Sequence, residues 1–380
     1  MADALKPSMT LVVRNLSTQD GGDVGQDRPQ STRAELVYPW ITPTKLTNPG
    51  TLPPGNGLAA SWSPDGRFLT VSGAGAINYF VTYDRTASTF TALPDPVTLL
   101  GSDAQSCAWS PSGRFLAFAQ GIAITIYERT GATFTNIAGI TQPSAGSTLS
   151  CAWSPDERFF AVGTGSTPFV TIYERSGTTF TKLSNPASLP PDLCTGCCWS
   201  PDGRFLALGT GTTPFVIIYE RSGTTFTKLS DPASLPANIV TGIAFSPDGS
   251  LLATAHFVSP RVTIYQRSGT TFTKLADPAT LPADDGRSCA WSPDGRFLAV
   301  GHSSTPFVTI YDRSGTTFTK LADPSTLPTG NGNGCAFSPD GRFLAVAHAT
   351  TPFVTIYETS GGFPPRGGLV RVLNFGLEET

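Results

Sequence analysis

Ser292-Pro293-Asp294-Gly295-Arg296-Phe297 is one of seven copies of a short phrase, and its recurrence decides the architecture. The copies begin at Ser63, Ser110, Ser154, Ser200, Ser246, Ser292 and Ser338. Subtraction gives intervals of 47, 44, 46, 46, 46 and 46 residues. A unit of this length, repeated in this way, is one fold built by repetition. A chain of 380 residues would otherwise suggest two or three domains.

The sixth copy shows what each unit contains. Cys289 and Trp291 alternate with small residues over Ser288–Trp291, which reads as a short strand. Pro293, Asp294 and Gly295 supply turn chemistry: a fixed φ, a carboxylate that can accept backbone N–H groups, and tolerance of positive φ. Further strands are expected at Phe297–Val300, Phe307–Tyr311 and Thr317–Leu321, with a polar loop, then a tight turn, between them. A connector, Ala322–Pro328, leads to the next copy. Pro and Gly interrupt every window before three helical turns could form. Four short antiparallel strands per unit is the pattern of a propeller blade.

On these residues the chain resembles the WD-repeat propeller family. Cys289-Ala290-Trp291-Ser292-Pro293-Asp294-Gly295 is similar to that family's first strand and turn. Ile310-Tyr311-Asp312-Arg313 stands where the family carries Trp-Asp. The family's Gly-His pair before the first strand is missing from every copy, so its Asp-His-Ser-Trp network is not carried over. The resemblance implies an all-β, seven-bladed β-propeller spanning residues 39–360. The pattern begins late in a repeat: residues 41–53 match the fourth strand and connector of later copies, and the last copy lacks a fourth strand. The N-terminal strand should therefore complete the last blade and close the ring. Residues 1–38 and 361–380 remain as arms, with strand candidates at Met9–Leu16 and Leu369–Phe375.

A net charge of -3 argues against a broad footprint for nucleic acid or anionic membrane. No apolar run is long enough to cross a bilayer. Met1–Asp20 lacks a basic region followed by an apolar stretch, so no secretory signal is read there. Cys107, Cys151, Cys197, Cys289 and Cys335 share one slot, held elsewhere by Ala60 and Ile243. A slot that accepts Cys, Ala or Ile is a packing position. These thiols are expected reduced and buried, with Cys194 of the local Cys194-x-x-Cys197-Cys198 the most accessible.

The search for chemistry finds repeated structural residues. His256, His302 and His348 follow the second strand of three separate units, in a slot otherwise held by Gly73, Gln120, Thr164 and Thr210. Strand-end histidines are a simpler reading than a metal or acid–base site. Asp65, Asp156, Asp202, Asp248, Asp294 and Asp340 recur in one tight turn and read as turn stabilisers. The Arg after each turn and the Glu/Asp-Arg pair ending each third strand should form a circumferential belt of ion pairs. Phe169, Phe215, Phe307 and Phe353 follow Pro at the start of the third strand, where a ring of half-exposed aromatics could pack a blade edge or meet a partner or glycan. No cofactor, metal or catalytic residue is expected.

These features point to a non-enzymatic structural, attachment or interaction protein. A loose resemblance to repeat-rich phage accessory proteins favours an accessory component of a phage-like particle, hence a virion location. In that reading the arms anchor the ring to a larger assembly through Leu11, Val13, Val370 and Val372. Two alternatives stand beside it. One is an intracellular, cytoplasmic scaffold of the WD-repeat kind, which needs one non-repeating patch on one face. The other is a glycan-binding propeller, which needs several equivalent sites.

Overall fold

The computed structural model describes residues 42–75, 78–143 and 146–359, together with the backbone of two N-terminal strands, Thr10–Arg14 and Arg33–Val37. Seven four-stranded antiparallel sheets make up the ring, each formed by four successive strands except the last. Blade six runs Gly286–Trp291, Phe297–His302, Val308–Ser314 and Thr317–Lys320, from inner to outer strand. The last blade combines Gly332–Phe337, Phe343–His348 and Val354–Glu358 with Thr44–Lys45 from the other end of the chain. Thr44 lies opposite Glu358 and Lys45 opposite Tyr357, and Leu46 N donates to Ile356 O at 2.8 Å. The closure expected from the sequence is thus present. Each inner strand contacts its successor, the seventh meeting the first.

Because strand direction alternates, the Ser-Pro-Asp-Gly turns and the Gly turns before the outer strands share one end of the ring, the turn face. Loops between second and third strands share the other end with the connectors, the connector face.

A blade has no core of its own. One cluster joins Leu251, Ala253 and Ile264 of blade five to Trp291, Leu298, Tyr311 and Phe318 of blade six. The second strand is packed between neighbouring blades, so all of Phe297–His302 is buried and its pattern is a continuous run without alternation. The seven third-strand tyrosines are completely buried. Each donates its hydroxyl to a carbonyl of the connector leading into its own blade, as Tyr219 does to Ser188 O at 2.6 Å and Tyr311 to Thr280 O at 2.9 Å. The Tyr that replaces the family's Trp is therefore a clamp on the preceding connector.

Arginine ties the blades together on the turn face. Arg221 reaches back to Asp156 of the preceding blade at 2.7 Å. Its guanidinium lies over Phe159 of that blade and over Trp199 of its own, 4.9 and 5.9 Å from the ring centroids. Arg85–Asp340, Arg129–Asp65, Arg267–Asp202 and Arg313–Asp248 repeat the pairing. Arg175 turns to Glu157 in its own blade, because Ser112 stands where the partner Asp would be. In blade seven the arginine slot holds Thr359. A second belt pairs Arg204 with Glu220 and its counterparts within blades. Exposed pairs of this sort each contribute about 0–1 kcal/mol; the ring stacking adds roughly 0.5–2 kcal/mol to the arginines that have it.

The residue just before the register shift of each inner strand meets the preceding blade where its second strand ends and the following loop returns. At Gly286 an added Cβ would lie 2.4 Å from Arg261 O; at Gly332, 2.3 Å from Phe307 O; at Gly57, 2.3 Å from Phe353 O. These three glycines follow the three blades that carry His256, His302 and His348. After the four blades without histidine the slot holds Ala104, Thr148, Cys194 and Val240.

That slot corrects the cysteine expectation. Cys194 is completely buried, because it opens an inner strand and packs against Gly163 of blade three. Cys107 and Cys151 are buried as expected, whereas Cys289 and Cys335 are half-buried. All seven thiols are free. Burial pushes the thiols up, Cys107 and Cys197 to about 12 and Cys335 to about 11, so thiolate is scarce at neutral pH. Native labelling with a maleimide is expected to be slowest at Cys107, Cys151 and Cys194 and complete after denaturation. Fast native modification of Cys194, read by peptide mass mapping, would contradict this packing.

The two N-terminal strands pair with each other, Leu11 opposite Leu36 and Val13 opposite Ala34. The first matches the expected Met9–Leu16 strand; the second was not anticipated. Val370 and Val372 lie outside the described residues.

Candidate functional site

The histidines end their second strands, which run two residues further than the Phe297–Val300 span read from the sequence, and are completely buried. Nε2 of His256, His302 and His348 lies 3.0 Å from Oγ1 of Thr263, Thr309 and Thr355 on the neighbouring third strand. Burial lowers all three to about 4. They serve separate blades, and no group of three or more His, Cys, Asp or Glu able to hold a metal occurs among the described residues.

The turn aspartates are structural in detail. Asp202 Oδ1 accepts from Ser200 Oγ at 2.5 Å and from Arg204 N at 3.1 Å, and Ser200 Oγ accepts from Phe205 N at 2.8 Å. Burial pushes this carboxyl up, but Ser200, Arg204 N and Arg267 outweigh it and hold it below the usual range. Such a carboxylate is ionised and fully engaged, which suits a turn and not proton transfer.

Phe169, Phe215, Phe307 and Phe353 each follow a cis Thr-Pro bond and adopt positive φ of 62–66°. Their N–H groups donate back across the loop, as Phe169 N does to Ser166 O at 2.7 Å. All four are half-buried. Phe169 and Phe215 pack against the clusters between blades three and four and between four and five. Shallow grooves of about 530 and 500 Å³ lie between a connector and the next outer strand, lined largely by Ser, Thr and backbone.

The connector face is where the repetition breaks. Blade two replaces the Ser-Thr-Pro-Phe loop with Gly121-Ile122, and the connector before it carries Val97 and Leu99. Gln120 Oε1 binds this connector at Gly101 N, 2.9 Å away, and Tyr127 binds it at Thr98 O. Blade five replaces the loop with Phe257-Val258-Ser259-Pro260-Arg261. The exposed large apolar residues among those described are Val97, Leu99, Ile122 and Val258, all on this face. Aligning the seven copies and reading their differences would have found them; reading their agreement did not.

Residues 232–259 and 279–312 match the family model described as WD domain, G-beta repeat. The match covers two segments of the chain, and the closed ring of seven four-stranded blades agrees with it. The chain is a WD-repeat-like seven-bladed β-propeller. A solved structure titled "Crystal Structure of Mitotic Checkpoint Complex" is similar in fold, with a TM-score of 0.63 and 18% identity, covering 90% of this chain and 99% of that one. No curated protein matches. A propeller fold is shared by proteins of many functions, so the WD-repeat-like shape alone selects no activity. Among the described residues no helix is long and apolar enough to cross a membrane.

Proposed function

We propose that this propeller is a non-enzymatic, intracellular protein-interaction scaffold that engages partners through its connector face. One observation carries the reading: the exposed large apolar side chains gather on that face, at blades two and five, where the repeat is broken. On the turn face the charges are matched by neighbours within the ring. Exposed apolar residues at non-repeating places on one face are what a partner-binding surface requires. The likeness to a structure titled as a checkpoint complex is consistent with assembly, though at 18% identity it speaks to fold alone. The phage-particle reading draws no support from the comparisons. Anchoring by arms that contain Leu11, Val13, Val370 and Val372 is compatible with a scaffold and separable from it by truncation.

A randomised peptide library selected on the full-length protein tests this. Enriched peptides are expected to bind wild type and to lose about tenfold or more in affinity for a Val97→Ser/Ile122→Ser variant, while tolerating Arg158→Gln on the turn face. Failure to enrich any sequence, or enrichment that ignores connector-face changes, would sink the scaffold reading.

A further inference from the structure

We infer that Arg261 and Arg287 form a receptor site on the connector face for a carboxylate-bearing segment of a partner protein. The inference rests on the scaffold reading and adds the chemistry of the ligand. Fourteen arginines have described side chains, and twelve of them make ion pairs. The remaining two, Arg261 and Arg287, meet at one place.

Both flank the exceptional loop of blade five. Arg261 ends it, in the position that holds Phe in blades three, four, six and seven, at a φ of 64°. Its carbonyl adjoins Gly286, the residue before Arg287. Arg287 sits at the register shift of blade six's inner strand, where a bulge re-aims the side chain. The same place in other blades holds Leu58, Gln105, Leu149, Thr195, Thr241 and Asn333, none charged. Thr195, Thr241 and Asn333 spend their side chains on carbonyls of the next inner strand, at Val240, Gly286 and Gly57. Arg287 instead lies 5.8 Å over the Phe257 ring.

The donors are left waiting. Nε of each arginine is buried with no hydrogen-bond partner. Arg261 makes one long bond, Nη1 to Pro282 O at 3.4 Å. The acidic neighbour Asp284 accepts from Ser304 Oγ at 2.6 Å; Arg261 lies near enough to help hold that carboxyl below its usual range, after Ser304 and the Asp285 backbone, but makes no hydrogen bond to it. Both side chains are half-buried, a guanidinium Nε buried without a partner is unfavourable, and a carboxylate satisfies the planar fork with two parallel bonds. Half-exposed Phe257 and exposed Val258 beside it suit an apolar side chain next to the acid. Two arginines in a chain of net charge -3 are too few to track a phosphate backbone, which favours an acidic peptide over nucleic acid.

The test uses the full chain and a fluorescein-labelled, amidated octapeptide, Gly-Leu-Glu-Glu-Leu-Glu-Glu-Gly, read by anisotropy at low salt. The expected result is saturable binding at least about tenfold tighter than that of the same peptide with Gln for Glu. Arg261→Gln/Arg287→Gln should lose about tenfold or more, while Arg158→Gln on the opposite face binds as wild type. Equal affinity for the Glu and Gln peptides on wild type overturns the inference without needing any variant to fold. So does unaltered binding by a double variant that melts like wild type, or tighter binding of a labelled octathymidylate. Library peptides that need Ile122 but ignore both arginines would remove this site and leave the scaffold reading standing.

Discussion

Acidifying from pH 6.5 towards pH 4 is expected to strip several kcal/mol from the stability of the ring. His256, His302 and His348 are lowered from 6.5 to about 4 in the folded protein, chiefly by burial. In that window the unfolded chain binds protons that the folded chain refuses. The stabilisation is thus complete above the unfolded value and is lost as pH falls towards the folded one. At full loss each histidine accounts for roughly 2–3 kcal/mol. The turn aspartates, lowered from 3.8, add a second loss only below that pH. Blade two supplies its own control: Gln120 fills the histidine slot and Nε2 donates to Thr125 Oγ1 at 2.5 Å. Thermal melts of wild type should therefore fall steeply across the histidine window. The variant His256→Gln/His302→Gln/His348→Gln should fall little until the aspartates titrate. Parallel pH profiles for the two proteins would show that these buried imidazoles are not what the acid attacks.

Removing residues 1–48 should cost roughly 4 kcal/mol and lower the melting temperature by about 6 °C. The deletion takes away the Thr44–Lys45 strand, the bond from Leu46 N to Ile356 O, and the packing of Leu46 against the cluster joining the last and first blades. It also bares the edge of Val354–Glu358, which invites association between chains. Removing only residues 1–35 spares all of these and should leave the melt unchanged. Calorimetry on the two truncations decides the matter. Equal melting temperatures would mean that the ring does not depend on its closing strand.

Blade number, strand order and closure were legible because the turn chemistry is local and repeats within each copy. Ser200, Asp202 and Gly203 are neighbours in sequence, and they are neighbours in the turn. Contacts between copies were harder to read. Arg221 finds Asp156 65 residues away, and nothing in either copy alone announces the pair. Cys194 was misplaced for the same reason: it lies outside the shared cysteine slot and was expected to be the most accessible, whereas its surroundings come from Gly163 in the preceding blade. The candidate site was the least legible part. A repeated chain is read through what its copies share, while Val97, Ile122, Arg261 and Arg287 carry information by differing.

The match between a histidine ending one blade and a glycine opening the next sets a rule for shuffling. Blade six could be duplicated, since its own Gly286 would then follow His302 as Gly332 does. Moving blade four behind blade six would instead set the Cβ of Cys194 against the Phe307 carbonyl, where Gly332 leaves no room for one. The piece that can be copied without a clash is therefore cut mid-sheet, from after one residue of this slot to the next, and does not coincide with the blade the eye picks out. A gene that grows or loses units in this family of copies should show its recombination joints inside inner strands.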